Sequence, residues 1–183
     1  MIWFTSDWHF CHDREFLYKP RGFSNVTDMN AAIIKNHNEV VNYDDDVYCL
    51  GDCILNNLKE GLNCIAQLKG NIHIIKGNHD TDKKIEAYKT CYNIVEICDI
   101  KIIKYSKKLR FYLSHYPTIT TNFYEPGRPV LWNLSGHTHS SEKYSNYPCV
   151  YNVAQDAHNC YPVSIEQIIK DINNQKERNY YLK

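Results

Sequence analysis

Five short segments each run from an apolar stretch into aspartate, asparagine or histidine: Ser6-Asp7-Trp8-His9, Gly51-Asp52, Gly77-Asn78-His79-Asp80, Ser114-His115-Tyr116-Pro117 and Gly136-His137-Thr138-His139. Carboxylate, imidazole and carboxamide suit divalent cations of hard to borderline character. Asp7, His9, Asp52, Asn78, His115, His137 and His139 are too many ligands for one four-coordinate zinc. Two ions sharing the Asp52 carboxylate would use them all, and paired ions of this kind clamp the attacking and leaving oxygens of a phosphoryl displacement. Taken singly, His9 or His115 reads more readily as a hydrogen-bonded structural histidine, and Asp52 as a turn residue. Five of the nine histidines fall inside the series, which those separate readings do not explain. The glycines before Asp52, Asn78 and His137 are expected to turn the chain tightly, so that the next side chain projects into a cleft.

Such segments need strands to carry them. Apolar runs at Ile2–Ser6, Val47–Leu50, Ile72–Lys76 and Val130–Ser135 read as strands, as does Val150–Val153. The β-rich runs Ile94–Tyr105 and Leu109–Ser114, split by Ser106-Lys107-Lys108, predict a hairpin. Helical spacing predicts helices over Thr27–Val41, with Thr27 as N-cap, over Ile54–Leu68, over Asp82–Thr90, and over Ser164–Lys176 with Ser164 as cap. The first half is βαβαβα and the second mostly strands. That order predicts an α/β fold, a mixed sheet system covered by helices and not a purely parallel doubly wound sheet. The carboxyl ends of strands in such sheets are where ligands bind, and folding would bring the five ends to one edge.

With those motifs in place the sequence resembles the calcineurin-like metallophosphoesterases. Asp7-x-His9, Gly51-Asp52, Gly77-Asn78-His79-Asp80, His115 and Gly136-His137-Thr138-His139 stand in that family's order. His12, Ser114-His115-Tyr116-Pro117, and Asn152-Val153 followed by Asp156 look like its small bacterial and phage members, while Cys53 stands where these relatives often carry a bulkier or aromatic residue. The resemblance implies a four-layer αββα sandwich of mixed β-sheets flanked by helices, the metallo-dependent phosphatase-like arrangement. It implies that Asp7, His9 and His139 hold one metal, that Asn78, His115 and His137 hold a second, and that Asp52 bridges them. It implies in-line attack on phosphorus by a metal-bridging hydroxide. His79 would stabilise the transition state and protonate the leaving oxygen, and Asp80 would orient His79 or support its charged form. The two ions are expected to be manganese first, with iron, zinc, nickel or magnesium as alternatives.

Other residues read less sharply. His12 and Arg14 are candidates for binding the substrate phosphate, although a loop-stabilising hydrogen bond suits His12 about as well. Arg21 and Arg128 could also grip a phosphate through a planar fork but read more readily as surface arginines; His37 reads as solvated or partly packed and His73 as facing solvent or a helix, with His158 undecided. Tyr116 and Trp132 are candidate cleft residues, and the basic hairpin Lys101, Lys104, Lys107, Lys108 and Arg110 reads as a solvated tip rather than a nucleic-acid contact.

Composition narrows the class. At 183 residues, 43% hydrophobic and 23% charged, the chain suits one domain over 1–183 with a buried core, and is too apolar for disorder. No apolar run approaches a membrane span, and the N-terminus does not read as a signal peptide. Twenty-one basic residues balance 21 acidic ones, which lacks the basic footprint of a protein that grips long nucleic acid. Eight cysteines without regular spacing read as reduced thiols in a cytoplasmic protein, with Cys49, Cys64 and Cys98 as small core residues. The expected function is a phosphodiesterase acting on small nucleotide-like phosphate esters. The alternatives are a phosphomonoesterase, a metal-dependent nuclease and, last, a non-catalytic scaffold that binds a protein partner.

Overall fold

The computed structural model describes residues 1–120, 130–145 and 147–181, with only the backbone of 175–181. Its strands form two mixed sheets. In the first, β1 (Ile2–Thr5), β2 (Asp46–Cys49), β3 (Asn71–Ile75) and β4 (Ile94–Cys98) run parallel, and β9 (Val163–Ser164) adds antiparallel to β1, in the order β4-β3-β2-β1-β9. The parallel strands are joined through α1 (Glu15–Tyr18), α2 (Val26–Val40), α3 (Leu58–Ala66) and α4 (Asp82–Tyr88). The second sheet has the order β5-β6-β7-β8, with β5 (Lys101–Lys104) antiparallel to β6 (Leu109–Leu113), and β7 (Val130–Ser135) and β8 (Val150–Asn152) parallel to it. The closing helix α5 spans Ile165–Tyr181.

Strand alternation sorts the apolar side chains into two cores. Val47, Cys49, Ile72 and Ile74 face the helices and pack with Met29, Ile33, Ile65 and Tyr88. Phe4, Tyr48, Leu50 and Ile75 face the other way and meet Phe111, Leu113, Trp132 and Leu134 of the second sheet. The Phe4 and Phe111 rings lie 6.3 Å apart across that interface. Each aliphatic side chain fully buried in these layers contributes about 1.5–3 kcal/mol. Ile165, Ile168 and Ile172 of α5 join the second core, and Tyr151 on β8 donates to Asp171 Oδ2 at 2.7 Å. Helix α5 therefore closes the side of the sandwich where β8 and β9 are the edge strands. The expected outer helical layer on the second sheet is not formed by α1–α4, which all pack on the first.

Several expected boundaries move for local reasons. The α2 N-cap is Asn25, not Thr27, because the Asn25 side chain accepts from the Asp28 amide. Helix α3 starts at Leu58 behind an Asn57 cap, since Ile54 is spent pairing with Phe10 in an isolated bridge. The run Ile94–Tyr105 divides between the sheets, β4 in one and β5 in the other. Ser164 caps α5 as expected, accepting from the Gln167 amide. The eight cysteines carry reduced thiols; Cys49 and Cys64 are buried, and Cys98 is half-buried. Among the described residues no helix is long and apolar enough to cross a membrane.

His37 departs furthest from its expectation. It is 1% exposed, its Nε2 donates to the Lys69 carbonyl at 2.9 Å, and its Nδ1 has no partner. Burial pushes its pKa down to about 4. The unfolded chain binds that proton near pH 6.5 and the folded chain does not, so stability is complete above that pH and falls as pH drops toward 4. Urea unfolding of the wild type at pH 7 and pH 4.5 should show an acid loss about 2–3 kcal/mol larger than that of His37→Gln, whose amide can still donate to Lys69. Equal losses in the two proteins would show that His37 is not the group responsible.

Candidate metal centre

Beyond their strands, β1 and β2 stay zipped together. The Asp7 amide donates to Gly51 O and the His9 amide to Asp52 O, both at 3.0 Å. The bridge Ser6–Ala154 ties the same segment to the chain that follows β8. The five motif segments consequently meet at one edge of the two sheets. Asp7, His9, Asp52, His137 and His139 all take left-handed backbone, with φ between 49 and 68°. Non-glycine residues rarely adopt it, and it concentrates where a structure over-determines geometry for function.

The two carboxylates divide their oxygens alike. Asp7 Oδ2 accepts from the His137 amide at 3.0 Å, and Asp52 Oδ1 accepts from the His79 amide at 2.8 Å. The remaining oxygens face imidazoles. Asp7 Oδ1 is 3.7 Å from His9 Nε2 and 3.9 Å from His139 Nε2. Asp52 Oδ2 is 3.5 Å from His115 Nε2, 3.7 Å from His9 Nε2 and 4.0 Å from His79 Nε2. Glycines make these grips fit. A Cβ on Gly136 would lie 2.2 Å from Asp7 Oδ2, and one on Gly77 would lie 2.3 Å from Asp52 Oδ1. Turning is thus not the reason for glycine at those two positions; only Gly51, at φ 93°, needs its backbone freedom there.

The imidazoles are anchored from behind. His115 Nδ1 donates to Leu50 O at 2.7 Å, His139 Nδ1 donates to Asp156 Oδ2 at 3.0 Å, and His9 Nδ1 shares a hydrogen bond with His12 Nδ1 at 3.1 Å. Leu50 O and Asp156 can only accept, so in the neutral rings Nδ1 carries the hydrogen and Nε2 offers a lone pair. The His115 and His139 lone pairs thus point into the cleft. His115 Nε2 faces Asn78 Oδ1 at 2.9 Å and His137 Nδ1 at 3.1 Å, and neither Asp7 Oδ1 nor His9 Nε2 has a hydrogen-bond partner. The sets Asp7/His9/His139 and Asp7/Asp52/His115 can each hold a metal ion. Converging lone pairs, and ligating rings fixed through their other nitrogen, are the donor arrangement a divalent cation requires. Asp7 stands in both sets, and Asp52 Oδ2 likewise faces both groups of imidazoles.

Electrostatics follows the same layout. Burial penalises the Asp7 carboxylate, yet the His9 ring and Ser6 beside it hold its pKa below the usual value. Burial pushes His9 and His137 down, toward the neutral form that ligates. Burial and the neighbouring His9 push His12 down to about 4. The hydrogen bond to Asp156 raises His139, and His139 and Arg21 hold Asp156 low against the cost of its burial.

All seven expected ligand residues are brought together. His79 is beside them, half exposed, with its ring 5.9 Å from that of His9. Asp80 is not placed as expected. Its carboxylate accepts from the amides of Asp52, Cys53 and Gly77 and from the Tyr88 hydroxyl, so it locks two loops together and has no side-chain contact with His79. His12 stacks on His9. Arg14 is exposed and donates to the Asp13 carbonyl, not to the cluster. Tyr116 does reach the site, its ring 4.6 Å from that of His137, whereas Trp132 is buried in the second core. His73 pairs with Glu96 and stacks on Tyr48, and His158 Nε2 bonds the Asn152 carbonyl. Arg128 lies outside the described residues. Arg21 departs from the surface position favoured for it: it is buried and bound to Asp156, a pairing that nothing in its local sequence marks.

The chain is 35% identical to the uncharacterized protein MJ1445 of Methanocaldococcus jannaschii over 185 residues, 96% of this chain and 93% of that one. It belongs to the same family. The gene 66 protein of Mycobacterium phage L5 is 30% identical over 162 residues, 75% of this chain and 77% of the phage protein. Among solved structures, the protein of unknown function AQ665 from Aquifex aeolicus shares the fold at a TM-score of 0.68 and 27% identity, covering 93% of this chain and 98% of that one. An archaeal phosphodiesterase overlays at a TM-score of 0.47 and 17% identity, over 84% of this chain and 81% of that one, too loosely to argue for a shared activity. No protein-family model matches the chain.

The glycine fit is directly testable. Gly136→Ala places a Cβ 2.1 Å from Ser6 Oγ and 2.2 Å from Asp7 Oδ2. We expect a loss of about 1–3 kcal/mol in urea unfolding and about tenfold weaker Co2+ binding by calorimetry. A variant matching the wild type in both would show that Gly136 is not required for this contact.

Proposed function

We propose that this chain is a metal-dependent phosphoesterase, and within that class a phosphodiesterase acting on small nucleotide-like substrates with two divalent cations, manganese first. The observation that carries the reading is the convergence of Asp7, His9, Asp52, Asn78, His115 and His137 on one another, with the His115 Nε2 lone pair aimed inward and Asp7 Oδ1 and His9 Nε2 without a hydrogen-bond partner. Asp7, His9 and His139 would hold one cation, and Asn78, His115 and His137 the other, with Asp52 between them. When bound, the cations supply Lewis acidity and positive charge for the attack of water on phosphorus.

The chain's own groups supply the rest. His79 has its main chain fixed by Asp52 and its ring beside the cluster and open to solvent. An imidazole so placed can pass a proton to the leaving oxygen. Asp80 acts at a distance, holding the Asp52 and Gly77 loops in register. Exposed rings flank the cluster, Phe16 against His12 and Tyr116 against His137, and give a flat base two surfaces on which to stack. A cavity of about 340 Å³ lies behind His139, on the side of Arg21 and Asp156, and touches no other expected ligand. A larger cavity of about 670 Å³ lies between α2 and α3 and touches none of the expected ligands.

With Mn2+ supplied, bis-p-nitrophenyl phosphate should turn over faster than p-nitrophenyl phosphate, and a chelator should abolish both. Faster monoester turnover would favour the phosphomonoesterase; activity confined to DNA and lost steeply with salt would favour the nuclease. His79→Ala should lower kcat by about 10²–10⁴-fold with bound cation unchanged, while Asp52→Asn should lose both activity and cation. Unaltered hydrolysis in either variant would remove this reading.

A further inference from the structure

Arg21 is an arginine with a side chain only 1% exposed, and its hydrogen bonds converge on the site. Its Nε and Nη2 fork onto Asp156 Oδ1 and Oδ2 at 3.0 and 2.8 Å. Nη2 also donates to the Asp7 carbonyl at 2.9 Å, and Nη1 to the Trp8 carbonyl at 3.3 Å. Asp156 in turn accepts from His139 Nδ1. One guanidinium therefore holds both the backbone that carries Asp7 in a left-handed conformation and the carboxylate that sets the His139 ring.

Stability alone is a poor account of this arrangement. Removing a charged pair from water costs about as much as its mutual attraction returns, and apolar replacements often do as well. What an apolar pair cannot supply is orientation. The carboxylate fixes which nitrogen of His139 carries the hydrogen, leaving Nε2 to face Asp7 Oδ1. His115 needs no such device, because its Nδ1 is anchored by the main chain at Leu50.

We propose that Arg21 and Asp156 form a single positioning unit for the Asp7/His9/His139 corner of the centre, so that cation binding there depends on them far more than binding at the His115 corner, where the His115 ring is anchored without them. The proposal rests on the metal-dependent reading above. Both are positioning residues; neither side chain is assigned contact with substrate.

The experiment titrates the full-length apo-protein with Co2+ alone, following visible absorption and bound stoichiometry. The wild type should bind two ions. Asp156→Asn should weaken one of them by about 10–100-fold and the other far less, a selective loss that general loosening of the fold would not produce. Arg21→Lys should act in the same direction, because an ammonium cannot reproduce the planar fork. The double variant R21Q/D156N removes both charges without stranding either, so it guards against a single variant that fails to fold, and it should show the same selective loss. Variants that bind both ions as the wild type does, or lose both equally, would overturn the positioning unit and leave the metal-dependent reading intact. A wild type that binds no Co2+ would overturn that reading itself, and this inference with it.

Discussion

The site is governed by two buried carboxylates that must stay close together. Asp7 is 0% and Asp52 2% exposed. Among the described residues, the side-chain nitrogens facing them are imidazoles, not lysine or arginine. Burying like charges side by side without compensation is costly. Each carboxylate commits one oxygen to a backbone amide of a neighbouring loop and turns the other inward. The geometry of the cleft follows from that split. It dictates glycine at 77 and 136, brings His79 and His137 to the same edge, and leaves Asp7 Oδ1 as an unpartnered acceptor.

The scaffold makes the split achievable. β1, β2 and β3 are parallel neighbours, so their carboxyl ends open on one side and deliver Asp7, Asp52 and Asn78 together. β6 and β7 are parallel in the second sheet and deliver His115 and the His137–His139 segment. The core shared by Phe4, Leu50, Phe111 and Leu134 sets how the two groups of ligands face each other. Asp80 adds a local lock whose hydrogen bond to Tyr88 reaches into α4.

Much of this was readable because the ligands lie in short motifs at the ends of apolar runs. Residue type, order and preceding strand were enough to mark all seven ligand candidates, while His79 stands out through the family resemblance. What escaped depends on contacts that sequence neighbours do not encode. Arg21 and Asp156 are 135 positions apart, and although Asp156 stands in a stretch that resembles the family, nothing near either one in sequence marks the pair. Asp80 sits beside His79 in sequence, but the nearby amides of Asp52, Cys53 and Gly77 claim its carboxylate. His37 reads as a solvated or partly packed helical residue until the Lys69 carbonyl arrives from the turn after α3. The final helix was visible with its Ser164 cap, but not its place between the sheet edges, where Tyr151 pairs with Asp171.

The left-handed backbone at Asp7, His9, Asp52, His137 and His139 bears on how portable the site is. For a residue with a side chain, that conformation costs about 1–2 kcal/mol relative to its right-handed counterpart, and no isolated loop would hold it at several neighbouring positions. An Asp-x-His segment transplanted into an unrelated scaffold would relax, and its two side chains would part. The chemistry is thus not a cassette carried by a few letters of sequence; it belongs to the pair of sheets that forces those letters into shape.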